Sequence, residues 1–253
     1  MASSELHSEQ PVTAAILVIG DEILSGRTKD KNIGYIAEYL TNIGIDLREV
    51  RIVPDVTEEI VAALNAIRAR YDYVFTTGGI GPTHDDITAD AVAEAFGVGI
   101  DHDQRAVDML LERFPPDQLN EARMRMARIP FGAELIANSV SKAPGFILGN
   151  VHVMAGVPSI MQAMLDVVGP TLRTGRRMLS ETVRAGLREG DIGTPLAEIA
   201  RAHPDVSIGS YPFNSEEGPD TNVVVRSRDE GKLAVALSEV AAMLERERAR
   251  LNP

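Results

Sequence analysis

The strongest constraint on the fold is an alternation. Three strand-like runs are each followed by a stretch with the period of an amphipathic helix. The first run, AAILVIG at 14–20, is apolar throughout, as a strand buried on both faces must be. In KDKNIGYIAEYLTNIG, which follows, Ile33, Ile36, Ala37, Leu40 and Ile43 recur at helical spacing, and Gly44 is placed to end the helix. IDLREVRIV at 45–53 predicts a second strand. The helix after it carries Ile60, Leu64 and Ile67 on one face, and Asp55 and Glu58 have the spacing of a capping box. YDYVFTT (71–77) predicts a third strand and DDITADAVAEAFG (85–97) a third helix. Such an order closes into a three-layer α/β/α domain around a mostly parallel sheet.

Beyond residue 100 the pattern loosens. Helices are expected at 103–114 and 119–127, short strands at 133–138, 145–149 and 151–156, and a helix at 158–169. Gly149-Asn150 has the character of a hairpin turn between two of those strands. The polar, basic stretch 170–180 breaks the rhythm and marks a domain boundary. A small α+β domain with the order strand, helix, strand, strand, helix follows, and Leu233, Leu237, Val240 and Leu244 stripe its last helix. The expected organisation is a disordered polar leader over 1–11, a main domain over 12–170 and a small domain over 178–250.

Composition removes several functions. The chain has no cysteine, so thiolate nucleophiles and cysteine-ligated zinc are excluded. A net charge of −12 opposes broad binding to a nucleic-acid backbone, and the 4% aromatic content offers no base-stacking platform. No apolar run approaches the length of a membrane span, and the N-terminus lacks a hydrophobic signal core. The expectation is a cytoplasmic protein with no nucleic-acid or membrane partner. The P-loop, the G-x-G-x-x-G fingerprint after the first strand and the G-x-S-x-G elbow are all missing.

Ligands of parallel sheets sit beyond the C-terminal ends of the strands. There the sequence places Asp21 and Glu22 after the first strand, Asp55 after the second and the glycine-rich loop TTGGIGPT after the third. Gly156, Pro158 and Ser159 follow the late strand. Thr77, Gly78, Gly79, Gly81 and Thr83 suit close approach to a phosphate, because glycine adopts positive φ and a helix N-terminus offers unpaired amides. Asp85 and Asp86 in the same loop would repel that phosphate. A divalent cation held by Asp21, Glu22, Asp55, Asp85 and Asp86 resolves the conflict, since Mg²⁺ binds carboxylates together with phosphate oxygens. Structural alternatives stand beside this reading. Asp55, Asp85 and Asp86 can serve as helix caps, Asp21 and Glu22 as a solvated turn, and Gly156 to Ser159 as a plain helix start. His84 is a candidate proton carrier, whereas His102, His152 and His203 read as structural or solvated.

The segments VIGDEILSG, VPDV, TTGGIGPTHDDIT, KAPGF and GVPSIMQAM stand in the order and at about the spacing of the MoaB/Mog molybdopterin-binding fold. The chain most resembles the branch found at the N-terminus of competence/damage-inducible protein A (CinA) and at the front of eukaryotic FAD synthases. The resemblance covers residues 12–170, and 178–250 resembles the small KH-like domain that follows in CinA-type proteins. Mog-type adenylyltransferases have Gly-Gly-Thr-Gly and an Arg-Asp pair in the loop, where this chain has Ile80 and Asp85-Asp86. Asp86 falls on the functional aspartate shared by both groups, and Asp55 on the family's other acidic position. Ser141-Lys142 replaces the usual Gly-Thr of CinA proteins, which makes Lys142 a candidate phosphate contact. Ile160 replaces their usual Glu, a change expected to weaken or remove catalysis if that Glu takes part in it.

The resemblance implies hydrolysis of a nucleotide pyrophosphate, such as ADP-ribose or FAD, with Mg, Mn or Co as cofactor and Asp86 and Asp55 as catalytic residues. The alternatives are a non-catalytic binder of molybdopterin or a nucleotide and, disfavoured by Asp85-Asp86, a molybdopterin adenylyltransferase. The implied partners are a phosphorylated small molecule, a dinucleotide or a pterin, and further copies in a homo-oligomer. The KH-like tail lacks a G-x-x-G loop, so it is expected to pack or dimerise rather than bind RNA.

Overall fold

A computed structural model of the chain describes residues 11–216 and 218–251. Apart from Pro11, the expected leader lies outside the described residues. The chain divides into two units between Gly175 and Arg176.

In the first unit β1 (Val12–Ile19) leads through a single helical turn, α1 (Asp21–Leu24), to α2 (Asn32–Asn42). Next come β2 (Ile45–Val53), α3 (Thr57–Arg68), β3 (Tyr73–Thr77) and α4 (Thr88–Phe96). The later elements are β4 (Ile100–His102), α5 (Gln104–Leu111), α6 (Glu121–Met124), β5 (Arg128–Pro130), β6 (Glu134–Ile136), β7 (Gly145–Leu148), β8 (Val151–Met154) and α7 (Pro158–Val168). The main sheet has the order β2-β1-β3-β8-β7-β6. β2, β1, β3 and β8 run parallel, and only β7 opposes its neighbours. The Gly149-Asn150 turn joins β7 to β8, with Gly149 at φ 59°.

β1 shows why the domain has three layers. Its side chains alternate, so Ala15, Leu17 and Ile19 pack with α3 and α4, while Ala14, Ile16 and Val18 pack with α2 and α7. Every one of them is at most 2% exposed, which accounts for the unbroken apolar run.

Local capping departs from the sequence expectation in three places. α4 starts at Thr88, three residues beyond Asp85, so neither Asp85 nor Asp86 caps it. Asp55 does not cap α3, whose N-cap is Val56 with no side-chain bond; its carboxylate accepts from the amide of Asp21 at 2.9 Å, across the edge. The helix expected at 119–127 is one α-turn followed by a 3-10 turn over Arg125–Ala127. The antiparallel β4–β5 pair and the turn α1 have no counterpart in the sequence reading.

The second unit contains β9 (Leu179–Arg184), α8 (Glu189–Ala202), β10 (Ser207–Ser215), β11 (Gly218–Ser227) and α9 (Glu230–Leu251), in the expected order. Its antiparallel sheet runs β10-β11-β9. Leu233, Val240 and Leu244 of α9 and Ile192 and Leu196 of α8 cover Val223 and Val225 of β11. Among the described residues no helix is long and apolar enough to cross a membrane.

Candidate functional site

Because β1, β2, β3 and β8 are parallel, their C-terminal ends share one edge. The loop after β3 is shaped by backbone crowding. Gly78 has φ 105°, and a Cβ there would sit 2.1 Å from the carbonyl oxygen of Ile19. Gly79 has φ 66°, and a Cβ there would sit 2.1 Å from Thr88 Oγ1. The buried Thr88 binds both: its hydroxyl donates to Gly78 O (2.9 Å) and its amide to Gly79 O (3.0 Å). Opposite, Gly156 lies so close that a Cβ would be 3.2 Å from Gly78 Cα. Among the described residues the amides of Gly79, Ile80 and Gly81 donate to no protein acceptor, which leaves three adjacent donors for an anion.

The carboxylates do not share one role. Asp86 folds back to close the turn, its Oδ2 accepting from the amide (2.8 Å) and hydroxyl (2.6 Å) of Thr83. Thr83 is thereby engaged and is not a free phosphate donor. Asp86 Oδ1 takes no hydrogen bond among the described residues. Asp85 stands exposed on the loop crown beside the exposed His84, 3.9 Å away. Burial raises the pKa of Asp55; the bond from the Asp21 amide opposes this, and Glu22, Asp21 and Asp85 raise it further. Among the described residues no basic group lies within ion-pair distance of Asp21, Glu22, Asp55 or Asp86.

The expected set of five acids is not one cage. Among the described residues no three Asp, Glu, His or Cys side chains converge on a single metal position. What the edge offers is four carboxylates, Asp21, Glu22, Asp55 and Asp86, with no ion-pair partner among the described residues, of which the partly buried Asp55 has its proton affinity raised. This fits a hard cation that draws its remaining ligands from a bound phosphate.

A cavity of about 580 Å³ opens at this edge, within the range of small-molecule sites. Gly78, Gly79, Gly81, Gly156 and Pro158 line it, together with the carboxylates Glu22 and Asp86. Asp21, Asp55, Thr83, Asp85, Lys142 and Ser159 stand outside its lining, and Thr77 belongs to a neighbouring cavity. The rest of the wall is largely apolar, with Phe114, Met126, Ile160 and Met164 as its large side chains.

Residues 15–174 match the family described as probable molybdopterin binding domain. This chain belongs to that molybdopterin-binding family. Residues 177–251 match the family described as FAD synthase, middle domain. A relative from Aeropyrum pernix is 34% identical over 253 residues, covering 95% of this chain and 94% of its own. Another from Pyrobaculum calidifontis is 35% identical, covering 81% of this chain and 82% of its own. Among solved structures, the protein CinA of unknown function from Thermoplasma acidophilum is 33% identical, with a TM-score of 0.60 over 64% of this chain and 98% of that one.

Within this molybdopterin-binding domain two departures from the CinA pattern have structural consequences. Ile160 faces the cavity, so the usual Glu is replaced by an apolar wall. Lys142 takes φ 65° and its ammonium pairs with Glu112 at 2.6 Å, which turns it away from the expected phosphate contact. The sequence reading missed two cations. Arg113 lines the cavity and donates to Val140 O. Arg125 holds the loop from behind, donating to the carbonyls of Thr83 (3.1 Å) and Asp86 (3.3 Å). Both come from segments remote in sequence from the glycine loop, and no local motif marks them.

Proposed function

We propose that this molybdopterin-binding domain binds a phosphorylated ring compound, of the pterin or nucleotide class, and hydrolyses a nucleotide pyrophosphate such as ADP-ribose or FAD. One observation carries the reading: an apolar cavity of about 580 Å³ is rimmed by unpaired loop amides and by carboxylates without ion-pair partners. The ring packs against Phe114, Met126 and Ile160. The amides of Gly79, Ile80 and Gly81 orient the phosphates, and Arg113 balances part of their charge.

Asp86 and Glu22, with Asp55 and Asp21 behind them, would hold a divalent cation. Once bound, the cation would neutralise developing charge on the phosphates and lower the pKa of a nearby water. Water adds its oxygen to one phosphorus, and the bridging P–O bond breaks toward the other phosphate. Asp86 Oδ1, free of the turn, would be the oxygen that meets the cation, and the water's proton passes to solvent. His84 is exposed and does not line the cavity.

The test is direct. Pure full-length protein is incubated with ADP-ribose or FAD and Mg²⁺, Mn²⁺ or Co²⁺, and AMP is measured. Metal-dependent AMP release that falls at least tenfold in Asp86→Asn supports hydrolysis. Ile160 favours a second reading, a binder without turnover. Tight binding of AMP or a pterin with no product would select that one.

A further inference from the structure

β2 is one edge of the main sheet, and no strand pairs with its outer side among the described residues. It runs for nine residues, whereas the opposite edge, β6, has three. Its register on β1 shifts at Arg48, and residues 49–53 form a regular stretch beyond that bulge. Val53 O accepts from the amide of Gly20 at 3.1 Å, so Val53 turns its backbone groups toward β1. Alternation gives Glu49 and Arg51 the same direction, and it points the amides and carbonyls of Val50 and Ile52 outward.

The side chains beside those open backbone groups are apolar. Val50 and Ile52 are exposed, and so are Leu24 of the adjoining α1 and Val56 just past the strand. A long, exposed, apolar strand edge is a template for a further strand.

The charge pattern selects the occupant. A two-fold axis normal to the sheet sets two copies of one strand antiparallel, with like faces together. An axis through Glu49 would set that carboxylate against itself, and an axis through Arg51 would do the same to the guanidinium. Like charges directly opposite one another destabilise a sheet. An axis through Val50 sets Val50 against Val50, the Arg48 stem against Ile52, and Glu49 against Arg51 twice over. Within the chain Glu49 already accepts from Arg51 at 2.6 Å and from Tyr71 at 2.6 Å. The second copy brings another Arg51 to each Glu49, so that positive and negative groups alternate around the axis.

We propose that β2 pairs antiparallel with β2 of a second copy of this chain, centred on Val50, and joins the two main sheets into one. The reading is independent of what the ligand edge binds.

The chain has no cysteine, so an introduced thiol reports on its own position alone. In the proposed pair the two Val50 Cα atoms lie about 5.5 Å apart, inside the roughly 7 Å reach of a disulfide. The two Ile52 Cα atoms are offset by four residues along the strands, about 14 Å, and cannot be bridged. Full-length Val50→Cys and Ile52→Cys are oxidised mildly and separated without reductant. Val50→Cys is expected to give at least tenfold more linked dimer. Equal yields, or no linked dimer from Val50→Cys, overturn the pairing. In sedimentation the wild type is expected to carry twice the mass of one chain, and a wild type that stays monomeric also overturns it. Val50→Lys and Val50→Glu should each be monomeric, because each puts like charges on the axis, and an equimolar mixture should restore the dimer. A mixture that stays monomeric, or single variants that still dimerise, overturn the register.

Discussion

Gly78 illustrates how tightly the ligand edge is built at the scale of single residues. A methyl group there meets both a positive φ and the Ile19 carbonyl at 2.1 Å. Gly78→Ala should destabilise the fold by at least about 2 kcal/mol, measured by denaturant midpoint, because strain and clash add. A midpoint equal to wild type would show that the loop is not so confined. Asp55 gives the opposite case. Its pKa is raised in the fold, chiefly by burial and then by neighbouring acids. The folded state therefore holds the proton more tightly, and stability is lost as pH rises from the unfolded pKa through the raised folded one. Asp55→Asn keeps an acceptor for the Asp21 amide and removes the charge. At pH 7 in chelator this variant should melt higher than wild type, while losing part of any stabilisation by Mg²⁺. The glycines were legible because consecutive glycines before a helix have few other uses. The true partner of Asp55 was not, because a capping-box spacing and a contact across the edge look alike in one dimension.

Elements tell a similar story. Strand–helix alternation is a local, periodic signal, so β1 to β3 and α2 to α4 could be read from spacing. The start of α4 could not. Asp86 and Thr83 close a turn by side-chain bonds, and Thr88 takes over the two glycine carbonyls. Arg125, in the 3-10 turn before β5, braces that loop through two carbonyls. Arg125→Ala removes a half-buried side chain and two bonds to carbonyls, so it should lower the melting temperature by a few degrees. It should weaken AMP binding by about tenfold, the order of one or two lost charge-assisted bonds. Unchanged affinity would show that the loop holds its shape unaided. The apolar cavity wall escaped the sequence for the same reason: Phe114, Met126 and Ile160 belong to different segments that meet only in the fold.

For the whole molecule, the acid limb of stability has an identifiable source. His152 is 4% exposed, packed 5.1 Å from the ring of Phe75, and burial lowers its pKa from 6.5 to about 4. The folded state binds the proton less well than the unfolded chain. Its contribution is complete above pH 6.5 and is lost as pH falls toward 4, by roughly 3 kcal/mol. His152→Leu should flatten the decline in unfolding free energy across that window; an unchanged slope would assign the decline to other groups. The central claim is that the acidic edge needs a cation before a phosphorylated ligand can share it. Titration calorimetry of ADP-ribose into the full chain, with Mg²⁺ and then with chelator, measures this directly. The account predicts at least tenfold tighter binding with Mg²⁺, and loss of that difference in Asp86→Asn. Equal affinity in chelator would contradict it.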